Sequence, residues 1–179
     1  PFITSTMQQA ASNSFGWGAK KTMSVAQTLF SHGLITYHRT DSTRTDPQKV
    51  KDLRDKIKKT YTKKYLSPSV ISYGPIASSQ DAHEAIRPTS SYRIPENMKG
   101  HLNRQQFLLY ELIWKRAMAS QMENGVDNQL RIDVSSPDGS IILHSSGSAV
   151  AFDGFRKLYA EEKKDGQSDS ESDSHLPNL

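Results

Sequence analysis

The spacing of apolar residues changes once along the chain, from a helical to an alternating pattern. Residues 102–122 form the longest helical candidate, with a broad apolar surface and few helix breakers. Farther along, apolar and polar residues alternate over 130–134, and a Pro-Asp-Gly turn precedes the apolar run 141–143, which predicts a β-hairpin. The chain is therefore predicted to be mainly α with a small β segment, an α+β fold with a helical domain at 1–123 and a β segment at 124–159.

Three shorter helices are predicted upstream, at 6–15, 20–31 and 47–60. A Gly-Trp-Gly sequence separates the first two. This helix-break-helix pattern resembles a helix-turn-helix unit, although ordinary helical packing gives the same pattern. Asp46 and Pro47 are suited to the N-cap and first turn of the third helix.

Weaker patterns predict three small elements: a strand at 34–36, a short helix near 81–86 and a further strand at 149–152. Residues 61–100 hold four of the eight prolines, so most of this stretch is predicted to be an irregular connection.

The charge of the chain is unevenly distributed. Residues 160–179 hold six Asp/Glu and two Lys/Arg, whereas residues 1–159 hold 13 Asp/Glu and 21 Lys/Arg. A basic body can supply the sequence-independent part of nucleic-acid binding, although a well-solvated surface has the same composition. The acidic, low-complexity end at 160–179 is predicted to be a flexible linker.

Composition also excludes several classes of protein. The chain has no cysteine, which excludes disulfide frameworks and thiolate metal sites. No apolar run approaches the roughly 20 residues that span a bilayer, so a soluble, cytoplasmic protein without a membrane partner is expected. The chain begins with Pro1 rather than Met, which suggests an internal piece of a longer polypeptide.

The densest polar cluster is Tyr37-His38-Arg39-Thr40-Asp41-Ser42, directly after the predicted strand 34–36. A phenol has a pKa near 10, so a nucleophilic tyrosine needs nearby positive charge or a base. Arg39 could grip a phosphate and stabilise the charge that develops during transfer. A tyrosine packed at a strand end beside surface polar residues fits the same spacing.

A second cluster lies at 81–89 and contains a histidine, two acids and an arginine before a proline. His83 could donate to a phosphate or carry a proton near neutral pH, and Glu84 could orient a neighbour. A capped short helix with a local salt bridge explains the cluster equally well.

Three segments resemble motifs of the type IA DNA topoisomerases and occur in that family's order. They are PFITSTMQQ at 1–9, LITYHRTDS at 34–42 and AHEAIRPT at 82–89. Residues 21–27 and 153–155 are similar to family sequence as well, so the resemblance covers most of the chain before its acidic end.

The resemblance implies a catalytic role for Tyr37, Arg39 and His83. Tyr37 would attack a phosphodiester and form a 5′-phosphotyrosine intermediate, Arg39 would hold the scissile phosphate, and His83 would contact a phosphate near the site. The enzyme would pass a strand and religate, relaxing negative supercoils without ATP because the bond energy is kept. Further DNA contacts are expected at Thr40, Asp41, Ser42, Glu84, Arg87, Lys20 and Lys21.

The family binds magnesium through acids in a separate N-terminal domain, and this chain has no such acidic cluster near its motifs. The resemblance therefore implies Mg²⁺ ligands outside this chain, and the remaining domains of the same polypeptide as partners. Single-stranded or negatively supercoiled DNA would be the substrate. The chain is expected to comprise a helix-turn-helix-like tyrosine domain plus part of a β arch, and to be inactive alone.

Three alternatives compete with ordinary bacterial topoisomerase I. A non-enzymatic helix-turn-helix module would bind DNA through the basic body while Tyr37 only packs. His38 stands where many bacterial members have Met and is more typical of reverse gyrases, but the chain lacks the dense Glu/Lys networks of hyperthermophile proteins. A tyrosine recombinase would need its arginines and histidine before the tyrosine, whereas His83 and Arg87 follow Tyr37.

Overall fold

The computed structural model describes residues 1–74 and 83–160. The chain divides into two compact units, Pro1–Glu123 and Asn124–Leu179. The predicted acidic linker, apart from its first residue, and the first two residues of the predicted helix at 81–86 lie outside the described residues.

The first unit is built from helices joined by irregular segments. The four longest helices of this unit each begin and end within three residues of their predicted bounds. A 3₁₀ turn at Lys63–Tyr65 and a four-residue helix complete the unit. The α-helices are α1 (Thr4–Phe15), α2 (Ala19–Ser31), α3 (Pro47–Tyr61), α4 (Pro95–Met98) and α5 (Arg104–Ala119).

Local sequence accounts for the ends of these helices. Asp46 accepts hydrogen bonds from the backbone N–H of Gln48 and Lys49, which caps α3. Asn103 and Gln106 make the reciprocal side-chain to backbone bonds of a capping box at the start of α5. Gly16 ends α1 at its C-terminus, where its φ is 66°.

Helix α5 supplies the centre of the core and packs against α1, α2 and α3. Each fully buried large apolar side chain contributes about 1.5–3 kcal/mol relative to its exposed state. The tyrosine and tryptophan of α5 also fix the preceding loop, because Tyr110 Oη donates to Arg93 O and Trp114 Nε1 donates to Ser91 O. Burial raises the pKa of Tyr110 to about 12. The fully buried residues include Leu109, Ile113 and Met118 of α5 with Met7, Leu29 and Ile57 of the other helices.

The predicted strand at 34–36 and helix near 81–86 are both wrong in the described residues. Residues 83–86 are extended, and Ile86 pairs antiparallel with Phe2. The N–H of Ile86 donates to Phe2 O and that of Ala85 to Arg44 O, so these amides are used by distant residues instead of a helical turn. Residue 35 forms one isolated bridge, to Pro88, and a proline has no N–H with which to extend a ladder.

The second unit contains an antiparallel ribbon of two strands, β1 (Val126–Ser135) and β2 (Ile142–Phe152). The predicted hairpin is confirmed, but the further strand predicted at 149–152 is the continuation of β2. A single turn joins the two strands. Gly139 lies in this turn with a φ of 71°, a conformation that glycine adopts without steric cost.

A close contact between two backbone segments requires glycine at the position that follows the ribbon. Gly154 has a φ of 54°, and a Cβ at this position would lie 2.5 Å from the backbone of Asn124 and Gly125. A short 3₁₀ turn, Gly154–Arg156, and helix α6 (Lys157–Ala160) then follow. The mixed content of helices and one small sheet confirms the predicted α+β class. None of the helices in the described parts of the chain is long and apolar enough to cross a membrane.

Candidate active site

The segment 37–42 has no regular secondary structure, with bends at His38 and Arg39, and its residues alternate between exposed and buried. Tyr37 is 44% exposed, and Arg39 and Asp41 are exposed as well. The intervening His38, Thr40 and Ser42 are buried. The phenol, the guanidinium and the carboxylate therefore all belong to exposed residues of one short segment, and Arg39 and Asp41 line the same depression.

Thr4 holds this segment from the N-terminus of α1. Its Oγ1 lies 2.9 and 3.0 Å from the carbonyl oxygens of His38 and Thr40, which share its one proton, and it accepts from Thr40 N at 2.8 Å. The backbone N–H of Thr4 also donates to Thr40 O. One threonine therefore fixes the backbone on both sides of Arg39.

Thr36 attaches the second cluster to the same segment. Its Oγ1 donates to Ala85 O at 2.7 Å and accepts from Arg87 N at 3.0 Å, while its own N–H donates to Arg87 O. Two polar clusters that are about 45 residues apart in sequence are thereby brought side by side.

Aromatic rings surround Tyr37. Its ring centroid lies 5.4 Å from that of Phe30 on α2 and 6.1 Å from that of His83. The contact with Phe30 is edge-to-face, a preferred arrangement of aromatic pairs. The structure thus brings together Tyr37 and His83, two of the three predicted catalytic residues.

Arg39, Asp41 and His83 line a shallow depression of about 560 Å³ at the N-terminal end of α1. Ser5 and Gln8 of that helix line it as well. The first amides of a helix have no helical acceptor, and the helix dipole places partial positive charge there. A helix N-terminus, a guanidinium and an imidazole around one depression form a surface suited to a phosphate.

The side chain of His38 is fully buried, and neither ring nitrogen has a hydrogen-bond partner among the residues that the structure describes. Its ring packs against those of Tyr37 and Phe30, with centroids 5.4 and 5.8 Å away. Burial, together with the charge of Arg39, lowers the pKa of His38. The neutral imidazole therefore acts here as a packing group behind the tyrosine, a role that a methionine side chain also fits.

Replacing His38 by Met is expected to reduce the loss of stability in acid. The unfolded chain binds a proton near pH 6.5 at this histidine, whereas the folded chain resists protonation, so stability falls as pH drops below about 6.5. Urea unfolding at pH 7.5 and pH 5.0 should show a smaller difference for His38→Met than for the wild type. The exposed His101→Met variant is the control, and equal pH dependence in both variants would contradict the prediction.

Several predicted DNA-binding residues have internal partners. Thr40 Oγ1 accepts from Ser42 N, and Ser42 Oγ accepts from Arg44 N. Arg87 pairs with Glu84 at 2.6 Å, and its side chain is buried. These contacts hold the backbone of the site; a DNA contact by these four predicted residues stays a prediction.

The lysines predicted to bind DNA lie in the first turn of α2, and both are exposed. Lys21 Nζ lies 4.7 Å from the centroid of the Trp17 ring. Phe30, which contacts Tyr37, is ten residues after Lys20 on the same helix, a separation of about 15 Å along the axis at 1.5 Å per residue. The structure therefore does not bring these lysines into the depression.

Sequence reasoning missed the roles of Thr4 and Phe30. Phe30 lies in the predicted helix 20–31 and Thr4 lies just before the predicted helix 6–15, and the contacts of Thr4 with residues 37–40 join parts of the chain that are distant in sequence. The inclusion of Thr4 in the first motif was the one available signal. Among the described residues, no group of three or more His, Asp or Glu could hold a metal ion.

Comparisons with known proteins identify the family of this chain. A family model described as DNA topoisomerase matches residues 1–179. DNA topoisomerase 1 of Rickettsia conorii is 41% identical over 174 residues, which covers 92% of this chain and 22% of that protein. The protein of the same name from Rickettsia bellii is 42% identical over 170 residues, covering 90% of this chain and 21% of that protein.

A solved structure supports the same family. Full-length topoisomerase I from Thermotoga maritima matches with a TM-score of 0.78 and 35% identity, over 93% of this chain and 28% of that one. The chain thus spans about a quarter of the length of the relatives it matches. The resemblance predicted from the three ordered motifs is confirmed: the chain belongs to the type IA DNA topoisomerase family.

Proposed function

We propose that this chain supplies the nucleophile and the phosphate-binding surface of an ATP-independent DNA topoisomerase that cleaves one strand at a time. The observation that carries the proposal is the exposed phenol of Tyr37, which stands beside His83, a residue that lines the depression together with Arg39. Membership of a topoisomerase family supports DNA as the substrate.

In the proposed reaction, Tyr37 Oη attacks a phosphorus atom of the DNA backbone. The new O–P bond forms as the P–O3′ bond breaks, the phenol loses its proton, and the departing 3′ oxygen gains one. The covalent bond to the tyrosine preserves the energy of the phosphodiester, so the 3′-hydroxyl can reverse the step without ATP. The number of bonds and charges is the same before and after religation.

Arg39 and His83 would bind the phosphate through this step. A guanidinium offers parallel N–H donors to two phosphate oxygens, and the donors matter most where negative charge increases in the transition state. The N-terminus of α1 would add its partial positive charge from the side of Ser5. Thr4 and Thr36 would keep the tyrosine segment rigid, which reduces the entropy lost on reaching the reactive geometry.

Magnesium would supply further stabilisation of phosphate charge in the complete enzyme. The described residues offer no cluster that suits it, because hard cations need several oxygen ligands. We therefore propose that the ligands belong to other domains of the polypeptide, and we assign no step to the metal in this chain.

Two other functions remain as competitors. A non-enzymatic helix-turn-helix binder would not need an exposed tyrosine beside a histidine that lines a depression with an arginine and a helix N-terminus. A reverse gyrase would share this site, but the bacterial relatives named above are called DNA topoisomerase 1. The buried position of His38 also shows that a histidine there can serve packing alone.

Relaxation of plasmid DNA tests the proposed activity. The full-length protein that contains this chain should relax a negatively supercoiled plasmid without ATP, changing the linking number in steps of one. Steps of two, or a requirement for ATP, would contradict the proposal. Binding without relaxation would favour the helix-turn-helix module.

The isolated chain is expected to form no covalent adduct with a single-stranded oligonucleotide, with or without magnesium, since it lacks the proposed metal-binding domain. The full-length protein should form the adduct in magnesium. The comparison uses detergent denaturation followed by gel electrophoresis, with circular dichroism to verify that the isolated chain is helical. A magnesium-dependent adduct on the isolated chain would show that the site is complete without other domains.

A further inference from the structure

A second groove lies on the first unit, between α3 and the irregular segment 67–73. Its volume is about 410 Å³, and most of its lining is apolar. We propose that this groove, called the α3 groove below, binds the single-stranded DNA that flanks the bond attacked by Tyr37. The inference rests on the proposed function and adds a second DNA-binding surface to it. The lining includes Arg44, Val50, Lys51, Lys58, Val70 and Tyr73.

The wall of the α3 groove is held in place although it has no regular secondary structure. Gln121 binds both sides of the Ile71 backbone, accepting from its N–H at 3.3 Å and donating to its carbonyl at 2.8 Å. The guanidinium of Arg54 donates to the carbonyls of Ser67 and Ser69, both at 2.9 Å. The groove is therefore formed before any ligand enters, which reduces the entropy lost on binding.

Exposed apolar side chains lie on this wall. Val70 is 59% exposed and Tyr73 is 39% exposed, and both line the groove. The hydroxyl of Tyr73 donates to Ser120 O at 3.1 Å, so the orientation of its ring is fixed. Fixed aromatic rings in open grooves are the surfaces on which the bases of single strands stack.

Cations border the same groove. Among its described lining residues, four are Lys or Arg and one, Asp55, is acidic. Arg44, Lys51 and Lys58 have no ion pair within the described part of the chain. An apolar floor with unpaired cations at its edge is complementary to a single strand, whose bases are apolar on their faces and whose phosphates are anionic.

The tyrosine segment connects the two surfaces. Arg39 and Asp41 line the depression beside Tyr37, and Thr43 and Arg44 line the α3 groove. Thr43 is six positions after Tyr37, so the two residues lie no more than about 20 Å apart at the reach of the chain. A single strand of about six nucleotides at 3.4 Å each spans that distance, so one strand can reach both surfaces.

Salt dependence of binding tests the cations. The full-length protein is titrated with a fluorescein-labelled thymidine 20-mer at several salt concentrations. Removing two phosphate contacts should lower the slope of log Kd against log salt by about 1.4, at about 0.7 per contact on single strands. We expect that decrease for Lys51→Gln/Lys58→Gln. The control, Lys56→Gln/Lys59→Gln, makes the same charge change on α3 at lysines that lie over the Tyr92 ring instead, and its slope should stay unchanged.

The contribution of the Tyr73 ring to DNA binding is tested with a separate pair of variants. Tyr73→Leu should weaken binding of the 20-mer about 5- to 100-fold, as expected for the loss of one stacked base. Tyr73→Phe keeps the ring and should bind within about threefold of the wild type. Equal slopes in the two lysine variants would overturn the proposal, and so would equal affinities in the two tyrosine variants.

Failure of this inference is distinguishable from failure of the proposed function. The covalent adduct of the wild type and of Tyr37→Phe is measured in the same preparations. If the adduct depends on Tyr37 while the groove variants bind as their controls do, only the second surface is wrong. An adduct in each groove variant, with the helical content of the wild type, also shows that the variant is folded.

Discussion

Tyr37→Phe is expected to abolish strand cleavage and plasmid relaxation by the full-length protein, while DNA affinity stays within about twofold. Phenylalanine keeps the ring and its contacts with Phe30 and His83, so only the attacking oxygen is lost. Loss of a covalent nucleophile reduces turnover by roughly 10⁶-fold in enzymes in which it has been separated from binding. The rate should therefore fall to background in a relaxation assay.

The matched control is Tyr92→Phe, which makes the same change at another exposed tyrosine. Its relaxation rate should equal that of the wild type. Persistent relaxation by Tyr37→Phe would assign the chemistry to another residue. Loss of DNA binding together with cleavage would instead show that the phenol holds DNA.

Arg39→Gln should have the second-largest effect, a decrease of about 10²–10³-fold in the cleavage rate at saturating DNA. Arg39 is exposed and lines the depression with His83, whose ring contacts that of Tyr37. Glutamine retains hydrogen-bonding capacity but has no charge, so the variant loses stabilisation of the transition state more than it loses binding. Single-turnover formation of the covalent adduct measures this step without product release.

Arg104→Gln serves as the control for Arg39, since it removes one exposed positive charge at the start of α5. A decrease of less than about tenfold for Arg39→Gln would contradict the assigned role. Equal decreases in both variants would point to the net charge of the protein rather than to a specific phosphate contact.

The helices could be predicted from sequence because their signals are local. Apolar spacing, the Asp46 cap and the Gly16 stop each act within a few residues, and the observed bounds follow them. The β-hairpin has a similarly local origin in its alternation and its turn glycine at position 139.

The site depends on contacts that local patterns do not encode. Thr4 meets His38 and Thr40 across more than 30 residues, and Thr36 meets Ala85 across 49. A long-range contact also replaces the helix that the local sequence predicts near Ile86, because the N–H of Ile86 donates to Phe2 O. Local spacing therefore favoured a structural role for Tyr37, and the ordered motifs were needed to favour catalysis.

The sequence also did not separate the exposed from the buried side chains of the polar run 37–42. A dense polar run such as 37–42 looks uniformly exposed, but every second residue in it is buried. Thr40 and Ser42 are buried and their hydroxyls accept from backbone amides, whereas Arg39 and Asp41 are exposed.

Mapping the covalent adduct tests the central claim most directly. The full-length protein is incubated with a single-stranded oligonucleotide and magnesium, denatured, digested with a protease and analysed by mass spectrometry. The account predicts a DNA 5′-phosphate attached to the oxygen of Tyr37, with a free 3′-hydroxyl on the released fragment. A modification on any other residue, or a linkage through a 3′-phosphate, would contradict it.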